Sequence, residues 1–264
     1  MIRHKIFELL VFYYENILKN NHLRILGNKK KDREDVRKYY FNQFNHIVYN
    51  IILCCKYFPK TKKKFSFADI GFYPGTLVYV LRKIFYEKGF NFFAFEHFEI
   101  LRNQRLKSFF KTNLINLRGM NLNLDQEIYN KKFDLVLFSE TLEHLRINPY
   151  FVLKNISKIV KKKGRLILTV PNNLKLSNRL RALFGKSVLE NVKNYIVKNN
   201  DNTNLYGYHW REYTLSEIEY LLVNVGFKIE KIKTVSYNNN YFFNFLSLCG
   251  LNIGQKIVAV AKKN

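Results

Sequence analysis

FADIGFYPGTLVYVL, residues 67–81, holds a β-type apolar run that stops at Gly71. A turn follows through Phe72, Tyr73 and Pro74, then a second glycine at position 75, then apolar residues at helical spacing. Strand, glycine turn and helix form the opening unit of an α/β sheet. In such a unit the amides at the helix start point into the crevice above the strand ends, where they favour acceptor atoms and partial negative charge. Gly71 and Gly75 carry no side chain, so a ligand can approach the backbone closely. The loop has neither GxxxxGK[ST] nor GxGxxG, which disfavours a triphosphate cradle and the dinucleotide fingerprint.

Outward from this loop the alternation continues. NFFAFE (91–96) reads as a strand and FEILRNQRLKSFF (98–110) as a helix. KFDLVLFS (132–139) is a near-continuous apolar run, the mark of a strand buried on both faces. NPYFVLKNISKIVKKKG (148–164) reads as a helix with a lysine-rich end stopped by Gly164, and RLILTVPNN (165–173) as the next strand. TLSEIEYLLVNVGF (214–227) begins with a capping box, Thr214 and Glu217, and ends at Gly226. KIEKIKTVSY and QKIVAVAKK close the chain as strands. The order predicts an α/β protein with a doubly wound, Rossmann-like sheet.

Two apolar segments at three- and four-residue spacing, 1–26 and 39–58, predict N-terminal helices before the basic linker PKTKKK (59–64). The expected organisation is a helical segment and linker over 1–64 and a catalytic-size domain over 65–264. A polar insertion at about 173–208 carries one helical piece. The run IFELLVFYY is broken by Glu8 and is too short to span a membrane, so no transmembrane segment is expected. As a basic amphipathic helix it could rest on a membrane surface, against the plainer reading of a helix packed on its own domain. Three cysteines without metal or disulfide spacing suit a reducing cytoplasm. The net charge of +25 comes mostly from lysine spread over the whole chain. That spread fits compositional bias as well as it fits a nucleic-acid partner.

Glu96 ends the second strand, 21 residues past Gly75 (96 − 75). An acid there is placed to accept both hydroxyls of a ribose. With these residues the chain resembles the class I S-adenosylmethionine-dependent methyltransferases, in particular the ubiquinone O-methyltransferase-like group (types 11 and 12). Residues 67–81 match the first motif, Glu96 the ribose acid and KFDLVLFSETLEHL (132–145) the fourth-strand motif. KKGRLILTVPN (162–172) matches the fifth-strand motif and HWREYTLSEIEYLLVNVGF (209–227) a late helix. The resemblance covers residues 65–264. It implies a seven-stranded, mostly parallel sheet with an antiparallel last strand. It also implies S-adenosyl-L-methionine held by Asp69, Gly71, Phe72, Gly75, Glu96, Asn121, Leu122 and Ser139. The chain departs from the family in its bulky 72–74 turn and in having Asn121 where an acid often meets the adenine; Asp125 is a substitute.

Methyl transfer from a sulfonium needs the acceptor placed in line, and a hydroxyl acceptor must also lose its proton. Past strand four, Glu140, Glu143 and His144 share one face if that segment is helical. Relatives use a similar set for a metal, so Glu140, Glu143 and His144 are expected to hold Mg²⁺ or Mn²⁺, with His209 as a further ligand. Without a metal, His144, His209 or Glu143 would act as the base, or the segment would be purely structural. Trp210, Arg211 and Tyr213 are candidate acceptor contacts.

The absence of Asn/Asp-Pro-Pro-Tyr/Phe and of cysteine after these strands disfavours nucleobase amino and pyrimidine carbon methylation. The expected acceptor is an oxygen of a small molecule, glycan or lipid-linked intermediate, met in the cytoplasm or at the inner membrane surface. RNA ribose 2′-O-methylation and a non-catalytic cofactor-binding or interaction module are the alternatives. A nicotinamide-dependent dehydrogenase is disfavoured by the missing third glycine.

Overall fold

The computed structural model describes residues 2–15, 30–61, 64–71, 75–98, 100–122, 130–189, 209–237 and 251–264. Phe72, Asp125 and the 190–208 part of the expected insertion lie outside them. The helices are α1 (Ile2–Tyr13), α2 (Lys30–Cys55), α3 (Thr76–Ile84), α4 (Gln104–Thr112), α5 (Pro149–Ile159), α6 (Leu176–Leu183) and α7 (Leu215–Asn224). The strands are β1 (Ser66–Ile70), β2 (Asn91–Glu96), β3 (Ile115–Gly119), β4 (Phe133–Ser139), β5 (Val160–Pro171), β6 (Phe227–Val235) and β7 (Lys256–Lys263). They form one seven-stranded sheet in the order β3-β2-β1-β4-β5-β7-β6. β1, β2 and β3 pair in parallel, and β7 runs antiparallel to both β5 and β6. The expected doubly wound sheet with an antiparallel last strand is therefore present.

The chain divides into two compact units, residues 1–122 with 128–137 and residues 123–127 with 138–264. In the first, β1 is buried along its whole length, with Phe67, Phe92, Phe93, Phe95 and Phe133 in the core. α1 buries Ile6, Leu10 and Tyr13, spaced i, i+4 and i+7, and packs on α2 and α3. The Tyr13 ring lies 5.0 Å from Tyr79 and 5.8 Å from Phe109. The second unit is built on the β5–β7–β6 ladder, closed by α7. The capping box is complete: Thr214 Oγ1 accepts from Glu217 N, and the Glu217 carboxylate accepts from Thr214 N.

Three local readings are corrected. The helix expected over 98–110 starts only at Gln104, because the Asn103 side chain accepts from Leu106 N and caps it there. The lysine-rich helix end is strand: α5 stops at Ile159, and β5 begins at the extended Val160 and runs on through Lys161–Lys163. β3, in NLINLRG, has no counterpart in the sequence reading; its alternating exposure leaves it without the long apolar run that marks β4.

Gly75 sits at the α3 N-terminus with φ +97. A Cβ built there would lie 2.6 Å from Phe110 Cζ and 3.1 Å from the Tyr13 hydroxyl, both on fully buried side chains. The missing side chain at 75 thus admits protein aromatics, and any contact of Gly75 with a ligand runs through its backbone. Gly75→Ala is expected to cost about 2–5 kcal/mol from left-handed strain plus overpacking. Chemical denaturation measures this, and a loss under 1 kcal/mol would contradict the packing described.

Candidate functional site

The first unit carries the residues expected to hold an adenosyl group. Register pairs Ile70 with Phe95, and Gly71 N donates to Phe95 O at 2.9 Å, so the glycine loop starts beside the end of β2. There the Glu96 carboxylate accepts from His97 N at 2.9 Å, and Met120 N donates to Glu96 O. Asp69, one step before the loop, is buried, and its Oδ2 has no hydrogen-bond partner among the described residues. Burial, then the Glu96 charge, push its carboxyl well above the usual range, against the amide of Val78 in α3. Asp69, Gly71 and Glu96 are thereby brought to one end of β1 and β2. Asn121 and Leu122 follow β3, whose last residue, Gly119, pairs with Glu96.

The second unit carries the acid–base cluster. Glu140 has positive φ (49°), and Leu142–His144 is a single 3₁₀ turn, so the α-helical face expected for 140, 143 and 144 does not form. Instead the turn separates the two acids. Glu140 is ion-paired with Lys256 of β7. Glu143 is fully buried, and among the described residues neither carboxylate oxygen has a hydrogen-bond partner. Its Oε1 is 3.9 Å from His144 Nε2, and the His144 and His209 rings are 5.0 Å apart in an edge-to-face arrangement. One ligand atom from each of Glu143, His144 and His209 lies within 4.8 Å of the others. Burial, then the Glu140 charge, push the Glu143 carboxyl well above its ordinary range.

His209 reaches the cluster because the 209–211 segment is tied back by its backbone. Trp210 N donates to Glu143 O at 2.8 Å. Glu212, absent from the sequence reading, fixes the ring. It accepts from His209 Nδ1 at 3.1 Å, from Asn178 Nδ2 at 3.1 Å and from Lys175 Nζ at 3.3 Å. Burial pushes the Glu212 carboxyl up, but the His209 bond and the Lys175 charge outweigh it and hold the group below its usual range. An ionised Glu212 only accepts, so the His209 Nδ1–H donates to it, and Nε2 is left outside this bond. HWRE hinted at this: a histidine and a glutamate three apart, though only the fold shows that they bond.

Ser139, expected beside the cofactor, exchanges a 2.7 Å hydrogen bond with Thr169 between β4 and β5. Tyr213 is buried and serves packing, its hydroxyl pushed up to about 12 chiefly by burial. Trp210 is 39% exposed, and Arg146, also missed, stacks on it at 3.9 Å.

The sequence pattern of a methyltransferase-domain family matches residues 40–232, and the chain belongs to that family. A search of curated proteins finds no match. Among solved structures, an S-adenosylmethionine-dependent methyltransferase of Thermotoga maritima, described as a possible histamine N-methyltransferase, is 14% identical. That match covers 88% of this chain and 95% of the other at a TM-score of 0.55. Magnesium protoporphyrin IX methyltransferase of Synechocystis PCC 6803, solved with bound S-adenosylhomocysteine, is 14% identical over 97% and 100% of the two chains at 0.54. An O-methyltransferase family protein of Burkholderia thailandensis is 12% identical over 99% and 72% at 0.53. At these identities the likeness is one of fold. Family and fold together make the chain an S-adenosylmethionine-dependent methyltransferase. Among the described residues no helix is long and apolar enough to cross a membrane.

Proposed function

We propose that the protein transfers a methyl group from S-adenosylmethionine to an oxygen of a small, glycan or lipid-linked acceptor, as in the ubiquinone O-methyltransferase-like group. The observation that carries the reading is the buried Glu143 carboxylate, without a hydrogen-bond partner among the described residues and set against His144 and His209. An amine acceptor attacks as the neutral base and sheds its proton afterwards. A hydroxyl must lose its proton as it attacks, which calls for a proton-accepting cluster. Glu96 and the backbone after β1 would grip the ribose and adenosyl group, with Asp69, Asn121 and Leu122 beside them. The acceptor oxygen forms the new O–CH₃ bond as the C–S bond breaks, leaving S-adenosylhomocysteine. Its proton passes to Glu143 or to Nε2 of His209, the nitrogen that Glu212 leaves free.

The same three residues fit a divalent cation such as Mg²⁺ or Mn²⁺. Orphaned carboxylate oxygens and two imidazoles form a mixed oxygen–nitrogen donor set, while Glu140 is taken by Lys256. Such an ion would lower the pKa of an acceptor hydroxyl. In that case Glu143, His144 and His209 hold the ion, and Glu212 orients His209 from behind.

Calorimetry with S-adenosylhomocysteine, then labelled methyl transfer into lipid, glycan and RNA fractions with EDTA and Mn²⁺ arms, tests the reading. Binding with label in lipid or glycan is expected. Label in RNA would favour ribose methylation. Absence of cofactor binding would leave an interaction module.

A further inference from the structure

α6 is amphipathic the wrong way round for a helix packed on a protein core. Its one fully buried side chain is polar: Asn178 donates to Asn173 O at 2.9 Å and to Glu212. Leu176, Leu180, Leu183 and Phe184, spaced i, i+4, i+7 and i+8, form the opposite face. Leu180, Leu183 and Phe184 are 46%, 77% and 72% exposed, and Leu174 and Leu189 extend the apolar surface at either end. Arg179 and Arg181 flank this face, and Lys186 follows it. Residues 173–189 contain no acidic residue and four basic ones, Lys175, Arg179, Arg181 and Lys186. Among the described residues, Lys175 pairs with Glu212, and Arg179, Arg181 and Lys186 have no ion pair. Outward leucines and a phenylalanine framed by cations match a bilayer surface, where apolar side chains enter the acyl boundary and cations meet anionic headgroups. A second copy of this chain would bring the same cations face to face.

The geometry points to α6 as a docking element for an anionic lipid surface. The inference rests on the acceptor reading above and narrows it to a molecule held in or on such a surface. The helix is bolted to the cluster: Lys175 and Asn178 both bind Glu212, which binds His209. Docking by α6 therefore bears on the histidine assigned to the acceptor proton.

Co-sedimentation of the full chain with phosphatidylcholine vesicles, with and without phosphatidylglycerol, tests this in the absence of cofactor. Binding only to the anionic vesicles is expected. Leu183→Ser with Phe184→Ser should weaken it about tenfold. Arg181→Ser with Lys186→Ser should weaken it about thirtyfold at low salt. S-adenosylhomocysteine affinity, measured without vesicles, should be unchanged in both pairs and reports an intact fold. Failure of the parent to bind anionic vesicles overturns the proposal, as does equal binding to neutral ones or indifference to both pairs. Conversion of a dimer to a monomer by the apolar pair, seen by ultracentrifugation without vesicles, would assign the face to a second copy instead. Loss of cofactor binding by the parent would instead sink the methyl-transfer reading, whatever the vesicles show.

Discussion

Glu143→Gln is expected to lower methyl transfer by about a thousandfold while making the protein more stable. The first effect follows from removing the group placed to accept the acceptor's proton or to ligate a cation; a general base alone contributes roughly 10²–10⁴-fold. The second follows from burial. Keeping a carboxylate ionised at zero exposure is costly, which is the same burial that pushes the Glu143 carboxyl upward, and an amide of the same shape has no charge to lose. A gain of about 1–2 kcal/mol at neutral pH is expected, read by denaturation in the presence of EDTA. Cofactor affinity should stay near that of the parent. If the variant is both inactive and less stable, Glu143 is a structural acid and the proposed chemistry loses its centre. If it is active, the proton leaves by another route. With saturating Mn²⁺ the parent should gain stability and the variant should not.

What the sequence made legible here follows the range of the interactions involved. The 67–81 stretch could be read because a buried parallel strand, a glycine turn and an amphipathic helix each leave a local mark. β1 and α3 fall where those marks lie. So does the capping box at Thr214, whose two partners are three residues apart. β3 escaped because a half-exposed strand of five residues alternates weakly. The helix boundary at Ile159 escaped because lysine suits a helix end and a solvated strand equally well. Within the cluster, Glu143, His144 and His209 were legible as residue types, and their meeting depended on a backbone bond from Trp210 to Glu143 O across 67 positions (210 − 143). Glu140 and Glu212 exchanged importance for the same reason. Lys256, 116 residues away, takes the first. Asn178 and Lys175, more than 30 residues away, orient the second. Spacing on a helix could not reveal either, since the segment at 142–144 is a 3₁₀ turn.

Glu96→Ala is expected to weaken S-adenosylhomocysteine binding by about a hundredfold or more. Two hydrogen bonds from ribose hydroxyls to a carboxylate are worth roughly 1.5–3 kcal/mol each, and every 1.4 kcal/mol is tenfold in affinity. Alanine also removes the acceptor for His97 N, so part of the loss could come from a loosened turn. Glu96→Gln separates the two contributions. Its side-chain oxygen can keep the His97 bond while the charge and one ribose acceptor are lost, so an intermediate weakening of about tenfold is expected. Stability should move little or rise in both variants, because the Glu96 charge is one of the causes that push the buried Asp69 carboxyl upward. Calorimetric titration with S-adenosylhomocysteine and a thermal melt without it make the comparison. Unchanged affinity in the alanine variant would place the nucleoside away from the end of β2. A fall in affinity matched by an equal fall in stability would assign Glu96 to the turn rather than to the ribose.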